Sequence, residues 1–122
     1  MSDVSAFGEI LKTMVDRVPG AIGAVFADWE GEPVDQFAHI PPLDIQLVGA
    51  HWGIVWSGCA AGLERIGAGA VDELWIEGDN ALVFVQRVTA QYYVVLATKR
   101  SAHLQTARRA LAACRDTLLK EM

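Results

Sequence analysis

Residues 16–37 read DRVPGAIGAVFADWEGEPVDQF and contain the hairpin from which the fold can be worked out. The Pro-Gly pair at 19–20 ends a preceding helical pattern, because the residue before a proline is disfavoured in a helix. From residue 21 to residue 29 both alternating sets of positions are apolar, which is typical of a strand buried on both faces inside a sheet. The Glu-Gly-Glu-Pro segment at 30–33 then predicts a turn into a short edge strand, about residues 34–39.

Helical periodicity is found on both sides of this hairpin. It predicts a first helix over about residues 4–18 and a long helix over about residues 43–66, which starts after two prolines and stops at a Gly-Ala-Gly segment. Three more strands are predicted over about residues 71–77, 81–88 and 92–98, and Ser101 is predicted to cap a last helix. We therefore expect a single α+β domain over residues 1–122, with an antiparallel sheet.

Composition excludes several classes of function. The chain has 122 residues, 52% of them hydrophobic, and a net charge of −5. Because no basic cluster is interleaved with aromatic residues, we expect no nucleic-acid partner. The first ten residues lack the features of a signal peptide, and no apolar run reaches the ~18 residues of a membrane span. We expect a cytoplasmic protein with no membrane insertion.

The residue types that carry chemistry are present but scattered. The three histidines have no metal-ligand spacing, and Cys59 and Cys114 fall on apolar helical stripes, as buried reduced thiols do. His51 lies two helical turns from Cys59 on a different face, so the two do not form a nucleophile and base. We expect no catalytic, cofactor-binding or metal-binding residues and no enzymatic activity.

The long helix has more than one apolar face. Leu47, Ile54 and Ala61 repeat every seven residues almost opposite the stripe expected to pack on the sheet, and Arg65 ends their row. A surface helix is usually polar there, so a partner should cover this row. The expected core stripe consists of Ile45, Val48, Trp52, Val55, Trp56, Cys59, Leu63 and Ile66.

Small residues lie on both flanks between these two stripes. Gly49, Gly53 and Ala60 form one flank, and Gly58 and Gly62 form the other. Each glycine inside a helix costs about 1 kcal/mol relative to alanine, a cost that close approach of another backbone would offset. The flanks therefore suit either a second helix or close packing on the sheet.

The predicted third strand is half exposed. Leu74 and Ile76 alternate with Glu73, Trp75 and Glu77, so one face is apolar and the other carries two charges and an aromatic ring. An open strand with such a side chain tends to associate with another chain. We expect it to lie in an interface.

A signature in and around the hairpin is carried by Val18, Pro19, Gly20, Gly23, Asp28, Gly31, Pro33, Val34 and Asp35. With the later segments GAVDELWIEGDN and YYVVLAT, it resembles the roadblock, or dynein light chain, family, and the resemblance covers nearly the whole chain. The sequence looks most like the bacterial branch, which includes gliding-motility regulators that act on a Ras-like GTPase.

The resemblance implies a profilin-like, five-stranded antiparallel sheet with the long helix on one face and the terminal helices on the other. It also implies a homodimer, in which the third strands pair and the long helices lie side by side, giving a platform for a small Ras-like GTPase. Whether GTP hydrolysis is stimulated stays open at this stage. The expected partner-binding residues are Leu47, Ile54, Ala61 and Arg65, and the expected dimer interface contains Gly49, Gly53, Ala60 and Trp75.

Two other functions stay open at this stage. The protein would serve as a scaffold without GTPase contact if it joined other cytoplasmic proteins, as dynein-associated members of the family do. It would serve as a small-ligand sensor if Trp52, Trp56 and Cys59 lined a pocket.

Overall fold

A computed structural model describes residues 5–122. The predicted order of helices and strands is confirmed, while the predicted start of the first helix at Val4 lies outside the described residues. The elements are α1 (Ala6–Arg17), β1 (Ala21–Asp28), β2 (Pro33–Ala38), α2 (Pro42–Arg65), β3 (Glu73–Glu77), β4 (Ala81–Arg87), β5 (Tyr92–Lys99) and α3 (Leu104–Glu121).

All five strands form one antiparallel sheet in the order β2-β1-β5-β4-β3. The predicted interior position of β1 and edge position of β2 are both confirmed. α2 packs on one face, mainly over β1 and β2, while α1 and α3 cover the other face. In this order β3 is the second edge of the sheet, on the side away from β2.

The β1–β2 turn is held by one carboxylate and one glycine. Asp28 Oδ1 accepts hydrogen bonds from the backbone N–H groups of Glu30 at 2.9 Å and Glu32 at 3.1 Å. Gly31 adopts φ +83°, a left-handed conformation that L side chains rarely take. The carboxylate of Asp28 therefore has a structural role in this turn.

The cap of α3 differs from the prediction. The helix begins at Leu104, so its N-cap is His103, whose Nδ1 accepts from the backbone N–H of Thr106 at 3.3 Å. Ser101 lies in the preceding turn, where the N–H of Ala102 donates to the carbonyl of Lys99. It precedes the N-cap by two residues and therefore does not cap the helix. The sequence pattern favoured serine because it is the more common capping residue.

Two apolar clusters lie on opposite faces of the sheet. The cluster beneath α1 and α3 includes Leu11, Phe26, Phe84 and Cys114. Burial raises the pKa of the Cys114 thiol to about 12, so this sulfur remains a protonated packing group near neutral pH. The cluster beneath α2 includes Val25, Ile45, Trp56, Val85, Tyr93 and Val95.

Candidate partner and dimer interface

The buried face of α2 follows most of the predicted stripe. Ile45 and Trp56 are buried, while Trp52 and Leu63 are half-buried against the same cluster. Ile66 is an exception, because it is 76% exposed. The helix ends at Arg65, so the residue after it no longer follows the helical period.

Gly49 and Gly53 lie beneath α2, against the sheet. A Cβ at Gly49 would sit 2.4 Å from Val25 Cγ1, and one at Gly53 would sit 2.3 Å from the hydroxyl oxygen of Tyr93. That hydroxyl donates to the carbonyl of Gly49 at 2.9 Å. The prediction that these two glycines lie between two helices is therefore wrong, and the sheet is the backbone they approach.

The aromatic side chain at this contact is fixed in place. Burial raises the pKa of Tyr93 to about 12, so near neutral pH its phenol is protonated and can donate to the carbonyl of Gly49. Ala60 is half-buried against the same cluster and is also turned toward the protein. The flank on which we predicted a dimer contact is thus largely occupied by the chain itself.

The other small flank of α2 is open. Gly58 and Gly62 are exposed, and a Cβ on either would have no neighbour within 4 Å. Gln46, on the opposite flank, donates to the side chain of Gln36 in β2 at 3.2 Å. Because that flank faces β2, the flank with Gly58 and Gly62 is directed toward the β3 half of the molecule.

The predicted row on the outer face of α2 is exposed along its length. Leu47 is 58% exposed and Ile54 75%, and Ala61 and Arg65 are exposed as well. Leu43, one turn before Leu47, extends the apolar surface. The spacing of four residues between Leu43 and Leu47 is the sequence signal for this extension.

The open edge strand β3 is bordered by ion pairs. Arg108 of α3 makes two hydrogen bonds to the carboxylate of Glu73, at 2.9 and 3.2 Å, and its guanidinium lies 4.5 Å from the centroid of the Trp75 ring. Arg100 pairs with Glu77 at 3.1 Å. Trp75 nonetheless remains 39% exposed, in agreement with the half-exposed strand that the alternation predicted.

A shallow cleft of about 420 Å³ opens at the C-terminal end of α2. Trp29 and Trp56 form one side of it, with ring centroids 5.2 Å apart, and Ala61 and Val71 are among its other lining residues. Neither Trp52 nor Cys59 lines this cleft. Of the three residues named for a small-ligand sensor, this cleft therefore contains Trp56 alone.

Metal sites and membrane spans are two further features that a chain of this size can carry. Within residues 5–122 no group of three or more His, Cys, Asp and Glu side chains is placed to hold a metal ion. Over the same residues, none of the helices combines the length and the apolar character that crossing a bilayer would require.

Sequence comparison and structure comparison give different results. Neither a family model nor a curated protein matches this sequence. Among solved structures, a Roadblock/LC7 domain from Streptomyces avermitilis matches with a TM-score of 0.86 at 19% identity, over 93% of this chain and 94% of that one. The gliding protein MglB from Thermus thermophilus matches with a TM-score of 0.83 at 15% identity, over 93% of this chain and 86% of that one.

A third structure is described as MglB with a tetrameric arrangement. It matches with a TM-score of 0.85 at 14% identity, over 98% of this chain and 90% of that one. At these identities the likeness concerns the backbone architecture, and it agrees with the motif found in the sequence. This chain has the roadblock fold.

Proposed function

We propose that this protein is a non-catalytic, homodimeric regulator that binds a small Ras-like GTPase through the outer face of α2. The observation that carries the proposal is the exposed row of Leu47, Ile54 and Ala61 on a helix whose opposite face is already buried on the sheet. Large apolar side chains exposed together on one helix face are typical of an interaction site. Arg65 and Gln46 supply polar groups at its border.

The fold supports a regulatory or scaffolding role. One structural neighbour is named as a gliding protein and another as a Roadblock/LC7 domain, and roadblock-fold neighbours are generally non-catalytic regulators. For this chain the proposed platform is built from apolar side chains, which recognise a protein surface but activate no nucleophile. Any effect on GTP hydrolysis would then come from positioning the catalytic groups of the GTPase itself.

Self-association is the second part of the proposal. Two open features face the same half of the molecule. They are the β3 edge, with its exposed Trp75, and the flank of α2 that carries Gly58 and Gly62, so a single second copy would cover both. This assignment replaces the buried flank of Gly49 and Gly53. Light scattering of the purified protein at micromolar concentration should give twice the chain mass of 13.2 kDa. A mass of one chain would contradict the homodimer.

The GTPase partner is tested by calorimetric titration. A small Ras-like GTPase from the same organism would be loaded with GDP or with a non-hydrolysable GTP analogue and titrated into the dimer. We expect saturable binding with a fixed stoichiometry in at least one nucleotide state. Absence of binding in both states would contradict the proposal and favour a scaffold that uses the same surface for a different protein.

Arg65→Ala separates a border contact from a catalytic one. Arg65 is exposed in the last turn of α2, so we expect its removal to weaken GTPase binding by about two- to tenfold, as for a residue outside the apolar centre of an interface. Stimulated hydrolysis at saturating dimer should stay within about tenfold of the unmutated protein. Loss of an arginine finger would instead reduce it by ~10³-fold or more. Arg17→Ala, in the last turn of α1, is the matched control and should change neither quantity.

A further inference from the structure

The cleft at the C-terminal end of α2 has a rigid aromatic side. The ring centroid of Trp29 lies 5.2 Å from that of Trp56 and 4.9 Å from that of Tyr93. Its Nε1 donates a hydrogen bond to the carbonyl of Ala90. Trp56 is buried, whereas Trp29 is half-buried and lines the cleft. The Trp29 indole is therefore held in place before anything binds, which lowers the entropy cost of binding against it.

Small side chains form much of the remaining lining of the cleft. Ala60 and Ala61 of α2 contribute to it, as does Ala70 in the loop after the helix. Ala60 and Ala70 also line a second, adjoining hollow of about 420 Å³. Because Ala61 belongs to the exposed row of α2 as well, the cleft continues the surface that we propose for the partner. It offers that partner room for a long side chain.

Three polar or charged side chains line the cleft, and two of them already have partners. Ser57 Oγ donates to the carbonyl of Gly53 at 3.1 Å, and the guanidinium of Arg87 is ion-paired with Asp72. Glu64 is exposed and lines both hollows. Among the residues that the structure describes, no cation lies within 4.0 Å of its carboxylate. The uncompensated charge of the cleft is therefore negative.

We infer that this cleft anchors the proposed partner by taking up one arginine side chain from the partner's surface. The guanidinium bonds the carboxylate of Glu64 and lies against the ring of Trp29. A guanidinium suits both groups, because it pairs with carboxylates through two N–H donors and also stacks on aromatic rings. This inference rests on the proposed function and specifies the chemistry of the partner: an exposed arginine beside the apolar patch that covers the α2 row.

The position of the cleft strengthens this ion pair. An ion pair on an open protein surface contributes little, because water and salt screen it. A partner seated on the apolar row excludes water from the adjoining cleft, so the carboxylate of Glu64 and the guanidinium interact at a lower dielectric constant. The net charge of −5 on the whole chain also attracts a basic surface. Glu64 should therefore contribute to affinity as well as to the rate of association.

Glu64→Gln tests the charge of the cleft. The variant keeps the size of the side chain and removes its charge. We expect the dissociation constant for the GTPase, measured by calorimetry, to rise by about tenfold or more. The dependence of binding on salt concentration should fall as well. Glu121→Gln removes the same charge from an exposed position of α3, on the other face of the sheet, and should leave binding unchanged.

Ala70→Leu tests the space in the cleft. The larger side chain fills part of the cleft and alters neither the charge of Glu64 nor the outer face of α2. We expect the dissociation constant to rise by about tenfold or more, because the arginine loses its place. Ala68→Leu is the matched control, since Ala68 is exposed in the same loop and lines neither hollow. Both variants should keep the dimer mass in light scattering.

An exchange of charges identifies the arginine of the partner. Glu64→Arg should weaken binding more than Glu64→Gln, because two guanidinium groups then repel each other. Each exposed arginine of the GTPase is replaced by glutamate in turn. One of these replacements should restore binding to Glu64→Arg and weaken binding to the unmutated protein, as expected for two residues in direct contact.

The outcomes separate this inference from the proposed function. Binding of the GTPase that neither Glu64→Gln nor Ala70→Leu weakens would overturn the anchor and leave the proposed function standing. Absence of GTPase binding to the unmutated protein would refute both. A changed dimer mass in Ala70→Leu would assign the cleft to a second copy. Saturable quenching of tryptophan fluorescence by micromolar free arginine would assign it to a small ligand, and either assignment would overturn the inference.

Discussion

Ile54→Arg is expected to abolish binding of the GTPase partner while the dimer still forms and melts at its usual temperature. Ile54 is 75% exposed at the middle of the outer face of α2 and is not part of either apolar cluster. Removing it therefore costs little stability. A guanidinium at the centre of an apolar contact would have to lose its hydration without gaining a partner, which is strongly unfavourable. We expect the dissociation constant to rise by about a hundredfold or more.

The experiment measures binding by calorimetry and dimer mass by light scattering on the same preparation. Leu119→Arg is the matched control, since it places the same charge on an exposed apolar position of α3, on the other side of the sheet. It should leave GTPase binding unchanged. Leu47→Arg combined with Ile54→Arg should give no recovery of binding. Unchanged binding in Ile54→Arg would mean that the partner binds elsewhere, and an insoluble monomer would place this row in the dimer interface.

Gly53→Val is expected to lower the free energy of unfolding by about 1–3 kcal/mol, the usual range for overpacking a tight contact. The added side chain would begin 2.3 Å from the hydroxyl oxygen of Tyr93, which is buried and held by its hydrogen bond to Gly49. To accept it, α2 must move away from the sheet or that hydrogen bond must break. Urea denaturation followed by circular dichroism would measure the loss.

Gly58→Ala provides the control for this second prediction. It adds a Cβ at a glycine of the same helix where nothing lies within 4 Å. In the single chain helix propensity then acts alone. At protein concentrations too low for the dimer, where the flank proposed to face the second copy is free, the substitution should therefore stabilise the chain by up to ~1 kcal/mol.

Denaturation at two protein concentrations distinguishes the stability of the single chain from that of the dimer, because only the latter depends on protein concentration. Gly53→Val could instead lower only the part of the unfolding free energy that depends on protein concentration. Gly49 and Gly53 would then lie between subunits, and their packing against the sheet would be wrong.

The strands and turns of this protein could be predicted from local sequence. The doubly apolar run of β1 indicated an interior strand, because only a strand covered on both faces can bury both sets of side chains. The left-handed Gly31 and the Asp28 side chain act within a few residues of each other. Alternation in β3 likewise predicted a half-exposed edge. In each case the interactions that determine the structure join residues close together in sequence, or the periodicity of apolar residues indicates which face is buried.

The orientation of α2 was decided by tertiary packing. Helical periodicity located the large apolar residues correctly, but the glycines beside them fit either a second helix or the sheet. The structure turns Gly49 and Gly53 toward Val25 and Tyr93, because a helix comes closest to a sheet where its own side chains are smallest. A residue pattern that repeats along one helix carries no information about the element that will lie beneath it.

The ion pairs of β3 also depended on the assembled fold. Arg108 is 35 residues from Glu73 in sequence and Arg100 is 23 residues from Glu77, and nothing local to β3 indicates that its acidic residues are neutralised. The contacts arise because α3 and the end of β5 lie across that face of the sheet. From sequence alone, Glu73 and Glu77 suggested a solvated strand face. In the tertiary structure both carboxylates are ion-paired beside the open backbone edge of β3. The arginines that pair with them belong to segments that follow β3 by more than twenty residues.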